Sequence, residues 1–237
     1  MHKKIYQYSD LTSLTRWLGL SLVVCILSSL FAFFFEGFLF FQFVSMKGQG
    51  LAQTDLWVNV EGTTIYLQGS VFVRNIFFFV AAILSLKWIY RAFTNAKSFG
   101  GIESRFSPNT AVLSFVVPLI NLCAPFGVVK ELWGISSYFS GNTFLHKRSY
   151  LPTAWWASYL VTICLFYLSY LGGLKSATPV DLAVGHLTAC AFNLSFIVLS
   201  LCFLKLTGQV LLNQTLAYGE TVSVEACQIE EQGVLAA

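Results

Sequence analysis

The chain has few charged residues for its length. Of its 237 residues, 11% are Asp, Glu, Lys or Arg, whereas 56% are hydrophobic and 23 are Phe. Soluble globular domains carry roughly 25% charged residues. The chain therefore has too much apolar surface for one water-soluble core, and the composition predicts a polytopic membrane protein with four or five spans.

The sequence also lacks the patterns that hold metal ions or carry out common hydrolytic chemistry. Its six cysteines include no C-x-x-C pair and five lie in apolar runs, which predicts buried thiols rather than a disulfide framework or a zinc site. No H-E-x-x-H, G-x-S-x-G or Walker A motif occurs. We therefore expect no cofactor, no metal and no enzymatic activity.

The apolar runs predict an all-α membrane helix bundle with spans at about residues 18–44, 71–92, 153–171 and 182–204. A span needs about 20 apolar residues to cross a hydrocarbon core about 30 Å thick. Before this membrane domain of residues 18–206 lies an N-terminal arm, residues 1–17. After it comes a polar, acidic tail, residues 207–237, which we expect to be partly disordered.

Two shorter segments interrupt this pattern. Between the first two spans, alternating side chains in residues 56–60 and 63–67 predict a small β-hairpin. Between the second and third spans, Ser107 and Pro108 form a helix-start signal. Pro118 and Pro125 then break the apolar run at about half the length of a span, because proline lacks an N–H donor and clashes with the preceding turn.

The second half of this broken segment, which covers residues 108–139, shows helical periodicity. We expect this amphipathic helix to lie in the membrane interface with its apolar face against the acyl chains. The face comprises Phe126, Val129, Leu132, Trp133, Ser136 and Phe139.

The distribution of basic residues discriminates between two topologies. If the broken segment crosses the membrane there are five spans, with eight of the 14 Lys and Arg inside; if it returns there are four spans, with eleven inside. The positive-inside rule favours the second arrangement. We therefore expect four spans plus a re-entrant or interfacial segment on the cytoplasmic side, with both termini cytoplasmic.

A few polar side chains lie within the predicted spans. Glu36 and Arg74 fall near the same depth, and a charge costs about 2.5–3.5 kcal/mol at the centre of a membrane helix, so we predict that they form an ion pair. His186 and Asn193 are predicted to hydrogen-bond to neighbouring helices. A proton-relay role for His186 and a pore-lining role for Asn193 are the alternatives.

Lys87, Arg91 and Asn95 recur every four residues where the second span ends. This stripe has three interpretations: bases that extend to the lipid headgroups, a contact with Glu131 that docks the broken segment, or an anionic-lipid site. Asn121, between the two prolines, could bind a ligand or ion together with freed carbonyl groups, or could only satisfy the backbone of its own turn.

Spaced Trp, Pro, Asn and other residues of this region match the pattern of a known family. The positions are Trp88, Tyr90, Arg91, Asn95, Gly100, Phe106, Pro108, Ala111, Val112, Val117, Pro118, Asn121, Leu122, Pro125, Glu131, Leu132, Trp133, Trp155, Trp156, Thr207 and Gln209. Over roughly residues 70–215 the chain resembles the domain-of-unknown-function 4328 family of bacterial membrane proteins. It departs from that family at Ser114, where the family has a tryptophan, and in the spacing from Thr207 to Gln209, which differs by one residue. The resemblance implies a bacterial cytoplasmic membrane protein and supplies no activity or ligand.

These observations favour a multi-pass membrane protein that binds a protein partner or lipid through its cytoplasmic face. The alternative is a small transporter or channel subunit that uses the break between Pro118 and Pro125 as a solute or ion site. Expected partners are membrane lipids and a protein partner or a second copy of the chain, with no nucleic acid. The candidate interaction residues are Arg91, Asn95, Pro118, Asn121, Pro125, Glu131 and Trp133.

Overall fold

A computed structural model describes residues 6–47, 53–100, 104–140, 150–174 and 178–235. Within these residues the chain forms six α-helices and no strand. The helices are α1 (Thr12–Lys47), α2 (Gln53–Ser98), α3 (Pro108–Val116), α4 (Ala124–Phe139), α5 (Tyr150–Leu174) and α6 (Pro179–Leu235). A short 3₁₀ turn, Ile120–Leu122, joins α3 to α4.

Four helices are long and apolar enough to cross a membrane: Thr12–Ser45, Thr63–Ser98, Tyr150–Gly172 and Val180–Gly219. Each contains one of the four predicted spans, so the predicted all-α helix bundle is confirmed. Large apolar side chains cover their outer surfaces; Phe34, Phe41, Phe72 and Phe79 are each about two-thirds exposed. In water such a surface would aggregate, whereas acyl chains solvate it.

Two expectations about the ends of these helices are wrong. The residues expected to form a β-hairpin lie in α2, which is helical from Gln53 onward. The tail expected after residue 206 continues α6 as far as Leu235. Val210 and Ala217 of that region are buried, so packing orders a stretch whose acidic composition indicated disorder.

The chain divides into two compact units. Unit 1 comprises Met1–Trp17, Ile83–Ala154 and Lys205–Ala237, and unit 2 comprises Leu18–Ala82 and Trp155–Leu204. In unit 2 the buried side of α1 follows a strict alternation of four and three residues, which is the heptad spacing of closely packed helices. Its members are Leu18, Leu22, Cys25, Ser29, Ala32, Glu36, Leu39 and Phe43, and Ser21 is buried beside this row.

The broken segment lies in unit 1, and its break is confirmed. Ser107 caps α3, which ends where Val117 adopts an extended conformation before Pro118 (φ −80°, ψ 116°). With nine residues, α3 is about 13.5 Å long, less than half the thickness of a hydrocarbon core. Helix α4 begins one residue before Pro125, which therefore falls in its first turn, where proline is tolerated.

The expected position of α4 against acyl chains is wrong for the centre of its apolar face. Val129, Leu132, Trp133 and Ser136 are buried inside unit 1, where they pack as protein core. Amphipathic spacing shows that one face is covered, but it does not show whether lipid or protein covers it. The exposed apolar surface of the segment lies instead at its turn, which carries Leu119, 84% exposed.

Candidate functional site

Unit 2 holds two buried charged side chains, and they do not pair as predicted. The Glu36 carboxylate is 2.6 Å from Nδ1 of His186 on α6. Arg74 donates a hydrogen bond from Nη1 to the Oδ1 atom of Asn193, also on α6. Glu36 and Arg74 still interact electrostatically, but no ion-pair contact joins them in the described chain. The predicted helix contacts of His186 and Asn193 are confirmed.

Aromatic rings complete the surroundings of Arg74. Its guanidinium carbon lies 5.1 Å from the ring centre of Phe192 and 5.9 Å from that of Phe196. The Asn193 amide donates its own N–H to the Ala189 carbonyl at 2.9 Å, which orients its oxygen toward Arg74. Arg74 is 8% exposed, so a hydrogen bond and two ring faces replace water around this cation.

In unit 1, a buried amide network joins the N-terminal arm to α2 and α6. Asn95 accepts from the backbone N–H of Ser9 at 2.9 Å and donates to the Ser9 carbonyl at 2.8 Å and to Oε1 of Gln214 at 3.3 Å. Gln214 donates to the carbonyl of Ala92 and to Ser136 Oγ. Both amides are fully buried, so Asn95 is a structural residue rather than part of an exposed stripe.

Glu131 of α4 bonds to the residues that precede α3. It does not contact Lys87, Arg91 or Asn95, so the interpretation in which this stripe docks the broken segment through Glu131 is wrong. Its Oε1 atom accepts from Ser104 Oγ at 2.7 Å and from the backbone N–H of Phe106 at 3.3 Å. The Phe106 ring also lies against Gly127 of α4. These contacts hold the residues immediately before α3, and the Ser107 cap then sets where α3 begins.

This arrangement places α3 beside the end of α2 and forms an open groove of about 710 Å³ within unit 1. The α2 side supplies two exposed cations one turn apart, Lys87 and Arg91, with Tyr90 between them. The α3 side supplies Asn109, Val112 and Leu113, which share one face of that helix. Leu14 and Leu86 are further lining residues, so cationic groups lie beside apolar walls, and none of the described residues that line the groove is acidic.

Asp10 does not line the groove, but its carboxylate interacts electrostatically with Arg91, which does. Arg91 donates a long hydrogen bond of 3.5 Å to the Asp10 carbonyl. Hydrogen bonds from the Thr12 backbone and hydroxyl hold the pKa of Asp10 below its ordinary value, and the charge of Arg91 lowers it further. Asp10 is therefore ionised near neutral pH, but its side chain is occupied with the start of α1.

The residues at the break do not assemble into a polar site. Asn121 is half-buried, donates its backbone N–H to the Val117 carbonyl at 2.8 Å and makes no side-chain hydrogen bond with the described residues. Pro118 and Pro125 shape the turn, and Trp133 is buried in the core. Neither the groove nor the smaller cavity of unit 2 includes Asn121.

Sequence reasoning missed Asn213 and Gln214, which are fully buried in the second half of α6. Asn213 donates to Ser137 Oγ at 3.4 Å, and Gln214 connects α2 and α4. The sequence signal that could have identified them is a pair of adjacent amides after an apolar run, in Val-Leu-Leu-Asn-Gln. Burying an amide there costs free energy unless another part of the protein forms hydrogen bonds with it.

Three comparisons bear on the identity of the chain. Neither the search of curated proteins nor the search of solved structures found a match. One family model, described as Domain of unknown function (DUF4328), matches residues 59–208. This match covers α3, α4 and α5 entirely, together with most of α2 and the first half of α6. With well over half of its length matched, the chain belongs to the DUF4328 family.

Proposed function

We propose that this membrane protein is non-enzymatic and binds anionic lipids through the groove between α2 and α3. The observation that carries the proposal is the pairing of two exposed cations, Lys87 and Arg91, with apolar walls in one groove. A lipid phosphate is an anion attached to acyl chains, so a site for it needs both features. Each basic residue near a membrane surface contributes about 1 kcal/mol to attraction of anionic lipid.

The rest of the broken segment supports this assignment. No Lys, Arg, Asp or Glu occurs between Arg105 and Lys130, although much of this stretch is exposed. Leu113, Val116 and Leu119 are more than half exposed, and Leu113 also lines the groove. We propose that this turn enters the cytoplasmic leaflet, which brings acyl chains to the same wall that faces the two cations.

The proposal predicts selective retention of anionic lipid by the purified full chain. Native mass spectrometry would compare bound phosphatidylglycerol and phosphatidylcholine with identical acyl chains. Lys87→Gln and Arg91→Gln should each weaken phosphatidylglycerol retention about fivefold, which corresponds to about 1 kcal/mol per basic group. Leu113→Gln should weaken retention of both lipids, since it alters the acyl wall and leaves both charges in place.

Lys130→Gln is the matched control, because Lys130 is an exposed cation of unit 1 that lies over Phe126 and outside the groove. It should leave lipid retention unchanged. Inorganic phosphate should compete weakly, because it has no acyl chain. Equal retention of the two lipids by the unmodified protein, or an equal loss with Lys130→Gln and Arg91→Gln, would contradict the proposal.

A further inference from the structure

Unit 2 contains a cavity of about 190 Å³ that begins where α5 ends and α6 begins. Its polar lining comprises Ser169, Asp181, Glu36 and His186. Asp181 lies in the first turn of α6, and His186 follows five residues later, about 7.5 Å farther along the helix. The side chains of His186 and Glu36 retain 19% and 11% exposure, so the cavity gives small solutes access to the ion pair.

The imidazole of His186 is held in one orientation. One ring nitrogen, Nδ1, is 2.6 Å from the Glu36 carboxylate, and the ring stacks on Phe43 with centres 5.3 Å apart and planes within 8°. An ionised carboxylate can only accept a hydrogen bond, so Nδ1 carries the hydrogen. The other nitrogen, Nε2, has no hydrogen-bond partner among the described residues and keeps its lone pair in the neutral ring.

We propose that this cavity is a proton-binding site, in which Nε2 of His186 takes up one proton from the aqueous side where α6 begins. The bond between Nδ1 and Glu36 is retained on uptake. The new imidazolium is then stabilised directly by the carboxylate. The inference is independent of the lipid groove, which lies in unit 1.

Charged and titratable groups reach the site from three helices. Glu36 of α1 contacts the ring, and Asp181 of α6 lines the same cavity. Arg74 of α2 and the Cys190 thiol of α6 interact electrostatically with Glu36. Among the described residues, α5 contributes the uncharged Ser169 and Gly172 to the lining. Glu36 is the charged group in direct contact with the ring, so its charge bears most directly on proton binding.

The test follows His186 by nitrogen NMR of the full chain in lipid nanodiscs. Labelling histidine with ¹⁵N and replacing the other two by His2→Gln and His146→Gln leaves one imidazole signal. As the pH is lowered from about 9 to about 5, we expect a reversible change from a ring protonated at Nδ1 to a doubly protonated ring. Glu36→Gln should lower the midpoint by at least about one pH unit, since it removes the adjacent negative charge.

Glu131→Gln is the matched control, because Glu131 is a partly buried carboxylate in unit 1 and should leave the midpoint unchanged. Asp181→Asn should lower the midpoint less than Glu36→Gln does, since Asp181 lines the cavity without an ion-pair contact to the ring. A ring that stays in one form across the whole range would overturn the proposal even if Glu36→Gln failed to fold. A midpoint unaltered by Glu36→Gln would overturn it as well.

Discussion

Glu36 and Arg74 show two ways in which this chain accommodates a buried charge. Glu36 has a titratable partner, His186, whereas Arg74 has the neutral amide of Asn193 and the faces of Phe192 and Phe196. A buried cation without a hydrogen-bond acceptor retains most of its desolvation cost. Asn193 should therefore contribute more to stability than its single contact with Arg74 suggests.

We predict that Asn193→Leu destabilises the folded protein by about 1.5–3 kcal/mol, because it leaves the Arg74 guanidinium without this acceptor. Thermal unfolding in detergent would measure the change. Adding Arg74→Met should recover part of the loss, since the buried charge and its acceptor are then removed together.

Gln68→Leu serves as the control for that prediction, since Gln68 is an exposed amide on α2, the helix that carries Arg74, and its effect should stay within about 0.5 kcal/mol. Strict additivity of Asn193→Leu and Arg74→Met would show that the two side chains are not coupled and would refute the assigned role.

The sequence was sufficient to place each of these side chains along its helix, but not to choose its partner. Glu36 and Arg74 were matched because they fall at a similar depth. Partner choice also depends on the rotation of each helix about its axis, and Glu36 lies on the buried heptad face of α1. Since rotation is set by packing across helices far apart in sequence, local spacing could not distinguish Arg74 from His186.

Among the elements, α3 is the one whose limits follow most directly from sequence. Ser107 Oγ accepts from the backbone N–H of Thr110 at 3.1 Å, and the geometry before Pro118 ends the helix. A nine-residue helix is marginal by itself, so it depends on its cap and on the packing of Phe106 against α4. Changes at this cap should therefore alter the groove that α3 lines.

Ser107→Ala should cost about 1 kcal/mol, because one N–H at the start of α3 loses its acceptor. We expect lipid retention to fall with stability, since Asn109, Val112 and Leu113 are held by this helix. Ser107→Asn should restore both, because asparagine also caps helices.

Unfolding and native mass spectrometry of these variants would test the prediction on α3. Ser140→Ala is the control, since Ser140 lies just beyond the end of α4 and its hydroxyl donates to the Ser137 carbonyl. If Ser107→Ala and Ser140→Ala were equivalent in both measurements, the cap would have no role in forming the groove.

The two elements predicted wrongly failed for a common reason. Residues 56–60 and 63–67 alternate like strands, but they lie in α2. Residues 207–237 resemble a disordered tail, but the chain continues α6 as far as Leu235. Short patterns and composition report local preference, whereas an adjacent helix extends cooperatively at little cost. In α6, the buried residues Leu206, Val210 and Gln214 pack against the rest of unit 1. The acidic composition of the tail gave no indication of this packing.

For the whole molecule, the number of crossings determines where its ends lie. Four helices can span a membrane, and an even number of crossings returns the chain to its starting side. Helix α3 is too short to add a fifth crossing by itself, and the four-span threading places eleven of the 14 basic residues inside. Both arguments favour a broken segment that enters the membrane from the cytoplasmic side and leaves it on the same side.

We therefore predict that cysteines introduced by Ser107→Cys and Ser140→Cys, in a background without the native cysteines, react with a membrane-impermeant maleimide from the cytoplasmic side. Thr178→Cys, at the start of α6, should react from the opposite side and controls for vesicle orientation. The reason is geometric, since α3 is only about 13.5 Å long before it ends at Val117 and cannot by itself cross about 30 Å of hydrocarbon. Labelling of positions 107 and 140 from opposite sides would instead establish a fifth crossing and move the C-terminus away from the N-terminus.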